Sequence, residues 1–424
     1  MPESASPAGP RLRIRFGEFV ALSAAMMACQ AIAIDAMLPA LPTIARGLGL
    51  HDPNRAQFVV YAYMAGLGCG QLFWGMFSDR YGRRRILLIG LGLYVLAALL
   101  CSSTRSFDAL LGWRFTHGVA AAAVVVARSV IRDLYSGARM ARVMSLTFIV
   151  FLLSPVIAPS LGQLVLLVAP WRYLFVLIGG VSAAVWVWLL LRLPETLHPE
   201  YRLRLDLVRI RHAMRLVFGN RSAMCYTLAA ACVSGSLLSY LGMVQQIFGE
   251  IFHRPQLMPT VFALCAGAMG AASYFNSRLV ERLGMRLLSQ AGLLLLTAAA
   301  ALHALLAALG FEGLGVFIVM QSVTLACIGL TFANFGTLAM EPMGAVAGIA
   351  ASLQGFISTL GAAMLGALIG RQFHGTTLPL SLGSSVCGAA AIALVLIAER
   401  GRLFRRLHAA VRYGAGVASP IEPL

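Results

Sequence analysis

Two ionisable residues stand where the surrounding chain is apolar. Asp35 lies in the run QAIAIDAMLPALP (30–42), and Arg114 lies in the apolar stretch 109–131. A charged side chain at the centre of a membrane-spanning helix costs about 2.5–3.5 kcal/mol on insertion scales, so it usually lines a cavity or meets a partner. Desolvation raises a carboxylate's pKa, and a nearby arginine or water lowers it again. A carboxylate exposed alternately to two faces can therefore take a proton on one side and release it on the other. Asp35 is the one carboxylate well inside an apolar run; Glu18 sits at the mouth of the first run, and Glu312 and Glu341 fall near loops. On this reading Asp35 carries a proton, and Arg114 holds its ionised form or organises the polar network beside it. The competing reading makes Asp35 a pin near the outer interface, where Pro39 and Pro42 break the run.

The chain that must position these groups is made for an apolar solvent. Of its 424 residues, 59% are hydrophobic and only 12% are charged, against about 25% charged in a soluble domain. Runs of about 20 apolar residues can each cross a bilayer as a helix. Twelve are expected, at 17–40, 57–78, 86–104, 109–131, 144–168, 171–192, 222–245, 259–278, 287–309, 312–337, 346–371 and 377–399. The fold class expected is an all-α membrane protein, its twelve transmembrane helices forming two pseudo-symmetric six-helix bundles at 17–192 and 222–399. A tail at 1–16, a polar linker at 193–221 and a tail at 400–424 complete the division. Part of the linker reads as an amphipathic helix on the membrane surface. Residues 1–16 are polar and the run after them has no cleavage site, so no signal peptide is expected.

All 33 basic residues are arginine, giving a net charge of +17. With the N-terminus inside, inner segments hold 26 of these arginines and outer loops six, Arg114 being the remaining one. Cytoplasmic loops carry the basic excess, so both termini are expected on the cytoplasmic side of a bacterial inner membrane. The charge then serves topology and contact with anionic lipid. No basic run is interleaved with stacking aromatics, and nucleic acid is not an expected partner. The eight cysteines all fall in apolar stretches without CxxC spacing, and read as packing residues.

The loops carry a repeat. GMFSDRYGRRRILL (75–88) follows the second run and SRLVERLGMRLL (277–288) follows the eighth. Setting Asp79 on Glu281 sets Arg80 on Arg282, Gly82 on Gly284 and Arg84 on Arg286, every pair at an offset of 202. Parallel repeats of six spans characterise transporters whose substrate site lies between the halves.

These stretches resemble the major facilitator superfamily, and within it the Bcr/CflA-type branch of twelve-helix drug:proton antiporters. GMFSDRYGRRR is similar to the family's loop 2–3 motif, DAMLPALPTIA (35–45) to the branch signature ending span 1, and LSPVIAPSLGQ (153–163) to the antiporter motif of span 5. RFTHGVAAAAVVVARSVIRDLY (114–135) resembles the span 4 motif at Arg114 and Gly118, with His117 where Gln is usual. WRYLF (171–175), LPETL (193–197) and AGIAASLQG (347–355) extend the likeness over nearly the whole chain. The resemblance implies a conformational latch built from Gly75, Asp79, Arg80, Gly82, Arg83 and Asp133. It implies a helix-bending motif at Pro155, Pro159 and Gly162.

Polar side chains expected at a substrate cavity are few: Gln30, Tyr61, His117, Tyr240, Gln245, Asn334 and Gln354. Met37 joins them, with Met26, Met27, Met64, Phe151 and Phe332 as further apolar lining. An adaptable apolar pocket with one acid suits small amphipathic or weakly cationic compounds. The expected function is export of such compounds or drugs in exchange for protons, by a functional monomer needing no cofactor and no metal beyond the proton as coupling ion. The alternatives are a proton-coupled exporter of one native metabolite, such as an amino acid or siderophore, and a transport-dead sensor. No HExxH or GxSxG motif and no intramembrane His/Asp pair is found, so no enzyme is expected.

Overall fold

A computed structural model describes residues 14–135, 137–198, 200, 202 and 207–404. The tails at 1–16 and 400–424, and part of the linker, lie largely outside these residues, as do some side chains within helices, Phe151 among them. Lipid offers backbone groups no hydrogen bonds, so an apolar chain of this kind satisfies them within helices. Among the described residues there is no strand.

The first half contains α1 (Phe16–Asp35), the short α2 (Leu41–Gly47), α3 (Phe58–Tyr81), α4 (Arg83–Ser103), α5 (Phe107–Ala121), α6 (Val126–Leu134), α7 (Gly137–Val168) and α8 (Arg172–Arg192). A basic helix, α9 (Leu207–Gly219), leads to the second half. That half contains α10 (Arg221–Gln246), α11 (Met258–Leu283), α12 (Met285–Ala308), α13 (Leu314–Met340), α14 (Ala347–Gly370) and α15 (Leu378–Ala398). Turns of 3-10 helix join α1 to α2 and α5 to α6, so each pair makes one crossing.

Ten of the resulting segments are long and apolar enough to cross a membrane by composition. The remaining two crossings are α3 and α7. The 24 residues of α3 reach about 36 Å at ~1.5 Å per residue; Gly66, Gly68, Gly70, Gly75 and Gln71 dilute its hydropathy. The 32 residues of α7 carry their apolar stretch at Leu153–Val168. Several expected boundaries move: the first crossing runs on to Gly47 and not 40, α11 ends at Leu283 and not 278, and α3 and α7 shift as well. α3 runs on to Tyr81 because Gly82, not the first polar residue, ends it. α7 begins at Gly137, so its first turns project beyond the apolar layer.

The repeat is visible in the backbone. Gly82 has φ 103° and ψ 149°, and Gly284 has φ 84° and ψ 151°. Each ends one helix and opens the next in a conformation that costs a side-chain-bearing residue energy. The halves meet along two seams, α3 against α14 and α7 against α11. Each seam pairs the second crossing of one half with the fifth crossing of the other, the relation a twofold axis along the membrane normal requires.

Candidate functional site

Asp35 is the last residue of α1, and its residue surface is 6% exposed. Among the described residues no hydrogen bond or ion pair reaches its carboxylate. Helix α1 stops here because Pro39 can offer no N–H to continue it; Pro39 instead opens a 3-10 turn at Leu38–Ala40. The carboxylate thus lies where a pin would lie, yet it caps nothing. The neighbouring backbone is held by α7: a Cβ at Gly162 would come 2.2 Å from the Ala36 carbonyl oxygen. Only glycine lets α7 rest on the chain immediately beyond Asp35. Pro155 and Pro159 lie inside the same helix, each withholding one main-chain hydrogen bond.

Arg114 on α5 is fully buried, and among the described residues it forms no ion pair or hydrogen bond with Asp35. Its Nε donates to the Val59 carbonyl at 3.0 Å and its Nη2 to the Ala33 carbonyl at 3.2 Å, while Nη1 lies 3.3 Å from His117 Nδ1. The end of α1 leaves the Ala33 carbonyl without its i+4 partner, so the guanidinium ties down α1 two residues before Asp35. The Tyr63 ring stacks 4.5 Å from the guanidinium and Phe175 5.7 Å from it, taking up a desolvated cation. Glycines bring α5 this close to α3. A Cβ at Gly118 would fall 1.9 Å from the Tyr63 carbonyl oxygen, and one at Gly66 would fall 2.0 Å from that of Phe115.

At the arginine-poor end the two halves are joined by neutral groups that the sequence did not single out. Gln57 Nε2 donates to Gln246 Oε1 at 2.5 Å and to the Gly370 carbonyl at 3.3 Å. Gln246 Nε2 donates to Asn54 Oδ1 at 2.7 Å, and Asn54 Nδ2 to the Phe373 carbonyl at 3.0 Å. Tyr61 donates to Gln57 Oε1 at 3.2 Å from a space kept open by Gly242, where a Cβ would meet the hydroxyl at 2.0 Å. This end is closed. Nearer the arginine-rich end, Gln71 Nε2 to Thr359 Oγ1 at 3.4 Å also links the halves.

Six of the eight expected cavity residues are packed away in this arrangement. Tyr61, Met37 and Gln245 are buried towards the closed end. His117 is sealed in the first half. Tyr240 stacks on Phe262 at 5.8 Å, and Asn334 exchanges amide bonds with Asn276 at 2.8 and 3.5 Å, both inside the second half. Gln30 and Gln354 are half-buried, although Gln354 donates to the Gly336 carbonyl at 3.1 Å. Of the apolar candidates, Met26 and Met64 are buried, Met27 is half-buried, and Phe332 is exposed. Asn334 and Gln354 are held by amide bonds, whereas Tyr240 Oη, Gln245 Oε1 and His117 Nε2 are buried by helix packing with no hydrogen-bond partner among the described residues.

At the arginine-rich end, Arg83 pairs with Asp79 one turn earlier on the chain, and with Asp133 Oδ2 at 3.1 Å. Its Nη1 also donates to Ser78 Oγ at 2.7 Å. Glu195, from the segment after α8, accepts from the Arg83 main-chain N–H at 2.8 Å. Its carboxylate lies over Gly82, where a Cβ would meet it at 2.4 Å. Thr196 donates to Asp133 at 3.3 Å. Arg80 points elsewhere, over the Tyr81 ring at 5.2 Å, and Gly75 faces Ser352 across the α3–α14 seam. Among the described residues the ion pairs of this network stay within the first half. The second copy is wired differently: Arg286 joins Glu399 at 2.8 Å and Glu341 at 2.9 Å, and among the described residues no side chain lies over Gly284.

One further titratable pair also escaped the sequence reading. His303 Nε2 lies 2.6 Å from Glu312 Oε1, and Glu312 also accepts from Thr377, the residue before α15. The pair braces α12 against the α12–α13 loop and α15. Its members are nine residues apart and straddle a helix end, which is why no helical spacing flags them.

Among curated proteins, the chain is 28% identical over 370 residues to the bicyclomycin resistance protein homolog of Haemophilus influenzae, covering 84% of this chain and 89% of that one. It is 28% identical over 337 residues to multidrug resistance protein D of Escherichia coli, covering 78% and 83%. Among solved structures, the xylose transporter XylE from E. coli superposes with a TM-score of 0.71 at 10% identity, covering 91% of this chain and 97% of that one. This last likeness speaks to the fold alone. The family model for the Major Facilitator Superfamily matches residues 23–366. That match takes in Asp35, Arg114, both seams and both copies of the loop motif, and the chain belongs to the Major Facilitator Superfamily.

Proposed function

We propose that this chain exports small amphipathic compounds or drugs across a bacterial inner membrane in exchange for protons, by alternating access, with both termini cytoplasmic. The observation that carries the reading is Asp35: a buried carboxylate with no hydrogen bond or ion pair among the described residues, at the break in α1, between the proline-bearing α7 and a closed end. A carboxylate there is free to take its partner from outside the protein, a proton in one state and a cationic or amphipathic cargo in the other. The names of the bacterial relatives, which speak of bicyclomycin and multidrug resistance, support the cargo class. The arginine bias supports the orientation, and the closed seams within one chain support a functional monomer.

One carboxylate is sufficient for the energetics. A charge moved through 100 mV gains about 2.3 kcal/mol, and about 1.4 kcal/mol is a factor of ten, so one proton per cycle sustains a roughly fiftyfold gradient of a neutral compound. The test is Asp35→Asn in everted membrane vesicles. Uptake of tetraphenylphosphonium driven by a pH gradient is lost, while its equilibrium binding to purified protein stays detectable, weaker than in wild type and no longer reduced by acid. Wild-type uptake that ignores collapse of both the pH gradient and the voltage overturns the reading.

A further inference from the structure

The span 4 motif in this chain carries His117 where the resemblance leads one to expect Gln, and the structure gives that exchange a consequence. Arg114 has only donors to offer. The contact of its Nη1 with His117 Nδ1 at 3.3 Å is therefore a hydrogen bond only while Nδ1 is unprotonated, the ring's hydrogen then sitting on Nε2. That Nε2 is buried and, among the described residues, has no hydrogen-bond partner. The ring is clamped between Tyr94, with centroids 4.0 Å apart, and Tyr63 at 5.3 Å. Both phenols are committed to α1: Tyr94 donates to the Cys29 carbonyl at 2.7 Å and Tyr63 to the Gln30 carbonyl at 3.4 Å. The titratable groups facing the imidazole are thus Arg114 on its own helix, Tyr63 from α3 and Tyr94 from α4. Behind them, Cys101 from α4 lies within electrostatic reach of Arg114, and α1 meets the cluster through main-chain carbonyls and through Cys29 and Asp35, which act on Tyr63, while α8 contributes Phe175 against the guanidinium. Among the described residues no carboxylate forms a hydrogen bond or ion pair with the ring.

We propose that His117 is a positioning residue: its bare Nδ1 holds the Arg114 guanidinium on the Ala33 carbonyl, and a proton arriving at that nitrogen releases it. Two cations cannot share a buried 3.3 Å contact without strong repulsion. The guanidinium must therefore leave His117, and with it the Ala33 carbonyl two residues before Asp35. A glutamine carbonyl in the same place would accept from Arg114 at every pH; a histidine makes the hold conditional. The end of α1 is secured when His117 is neutral and loosened when it is charged, which adds a second proton-responsive element beside the carrier.

This inference rests on the proton-exchange reading above, and its test separates the two. Protons competing with cargo at Asp35 raise KM and are overcome by saturating cargo. Loss of a positioned Arg114 lowers kcat and is not. In proteoliposomes exchanging tetraphenylphosphonium at saturation, with equal pH on both sides, wild-type kcat falls along an acid limb of about tenfold per pH unit, the slope of one proton. His117→Gln lacks that limb, varying by less than about twofold over the same range, while its KM keeps the wild-type acid dependence. A variant with the same acid limb in kcat as wild type overturns the role of His117 even if transport is proton-driven. Exchange that no proton influences removes the proton-exchange reading and this inference with it. Imidazole and guanidinium nitrogen NMR on the wild-type protein tests the same point without cargo or substitution. The expected signals are a neutral ring protonated at Nε2 and, on acidification, one transition shared by His117 and the Arg114 Nη atoms. A ring protonated at Nδ1 in the neutral state, or a titration that Arg114 does not follow, refutes it.

Discussion

Gln57→Ala opens the arginine-poor end. Gln57 supplies two of the four hydrogen bonds that cross between the halves there, to Gln246 at 2.5 Å and to the Gly370 carbonyl at 3.3 Å. A neutral hydrogen bond contributes about 1 kcal/mol net, so removing both weakens closure by about 2 kcal/mol. The bond from Tyr61 stays within the first half and does not count towards closure. A shift of that size changes the ratio of open to closed forms by about thirtyfold. It is read as the labelling rate of a cysteine at Met37, which is fully buried just beyond Asp35, by an impermeant maleimide added outside whole cells. The background chain has its eight native cysteines replaced. Labelling rises about thirtyfold in Gln57→Ala, and Gln246→Ala added to it contributes less than it does alone, because the two side chains share one bond. An unchanged rate, or two effects that simply add, refutes the idea that this amide cluster holds the end shut.

Two other predictions concern glycines. Gly162→Ala puts a methyl 2.2 Å from the Ala36 carbonyl, so α7 and the α1 break must part by about 1 Å; the expected cost is about 1–3 kcal/mol in detergent unfolding, with a lower ratio of cargo moved to protons moved. An unaltered ratio removes Gly162 from the coupling machinery. Gly82→Ala and Gly284→Ala share the cost of a backbone region that is nearly glycine-only, about 1–3 kcal/mol, but only the first pushes on a capping carboxylate, 2.4 Å away. Thermal denaturation then shows Gly82→Ala as the more damaging change, and Glu195→Gln narrows the gap between them. Equal losses argue that Glu195 contributes nothing at the start of α4.

Much of this molecule could be read from its residues in order, because lipid enforces a simple grammar. Apolar length marks crossings, arginine marks one side, and the Gly82/Gly284 offset marks duplication; all three are local properties. Asp35 and Arg114 stood out for the same reason, as charges in the wrong solvent. What they touch was not legible. By residue type Arg114 could hold Asp35 or organise the network beside it; in the structure it engages two carbonyls, an imidazole and two rings, and carbonyl acceptors leave no trace in residue type. Gln57 and Gln246 are 189 positions apart and chemically ordinary; only the seam between α3, α10 and α14 makes them a pair. Glu195 likewise reads as part of a linker until the turn at Gly82 brings the start of α4 against it. The polar residues singled out as lining were chosen by type, and burial in this arrangement is decided by which helix face they share.

The cluster of Asn54, Gln57, Tyr61 and Gln246 contains no carboxylate, imidazole, amine or guanidinium. Its strength is therefore indifferent to brine and to fresh water alike, since dissolved ions screen charges and leave amide dipoles in contact almost untouched. Swings in salinity or sourness at this end therefore meet the same threshold at this door each time.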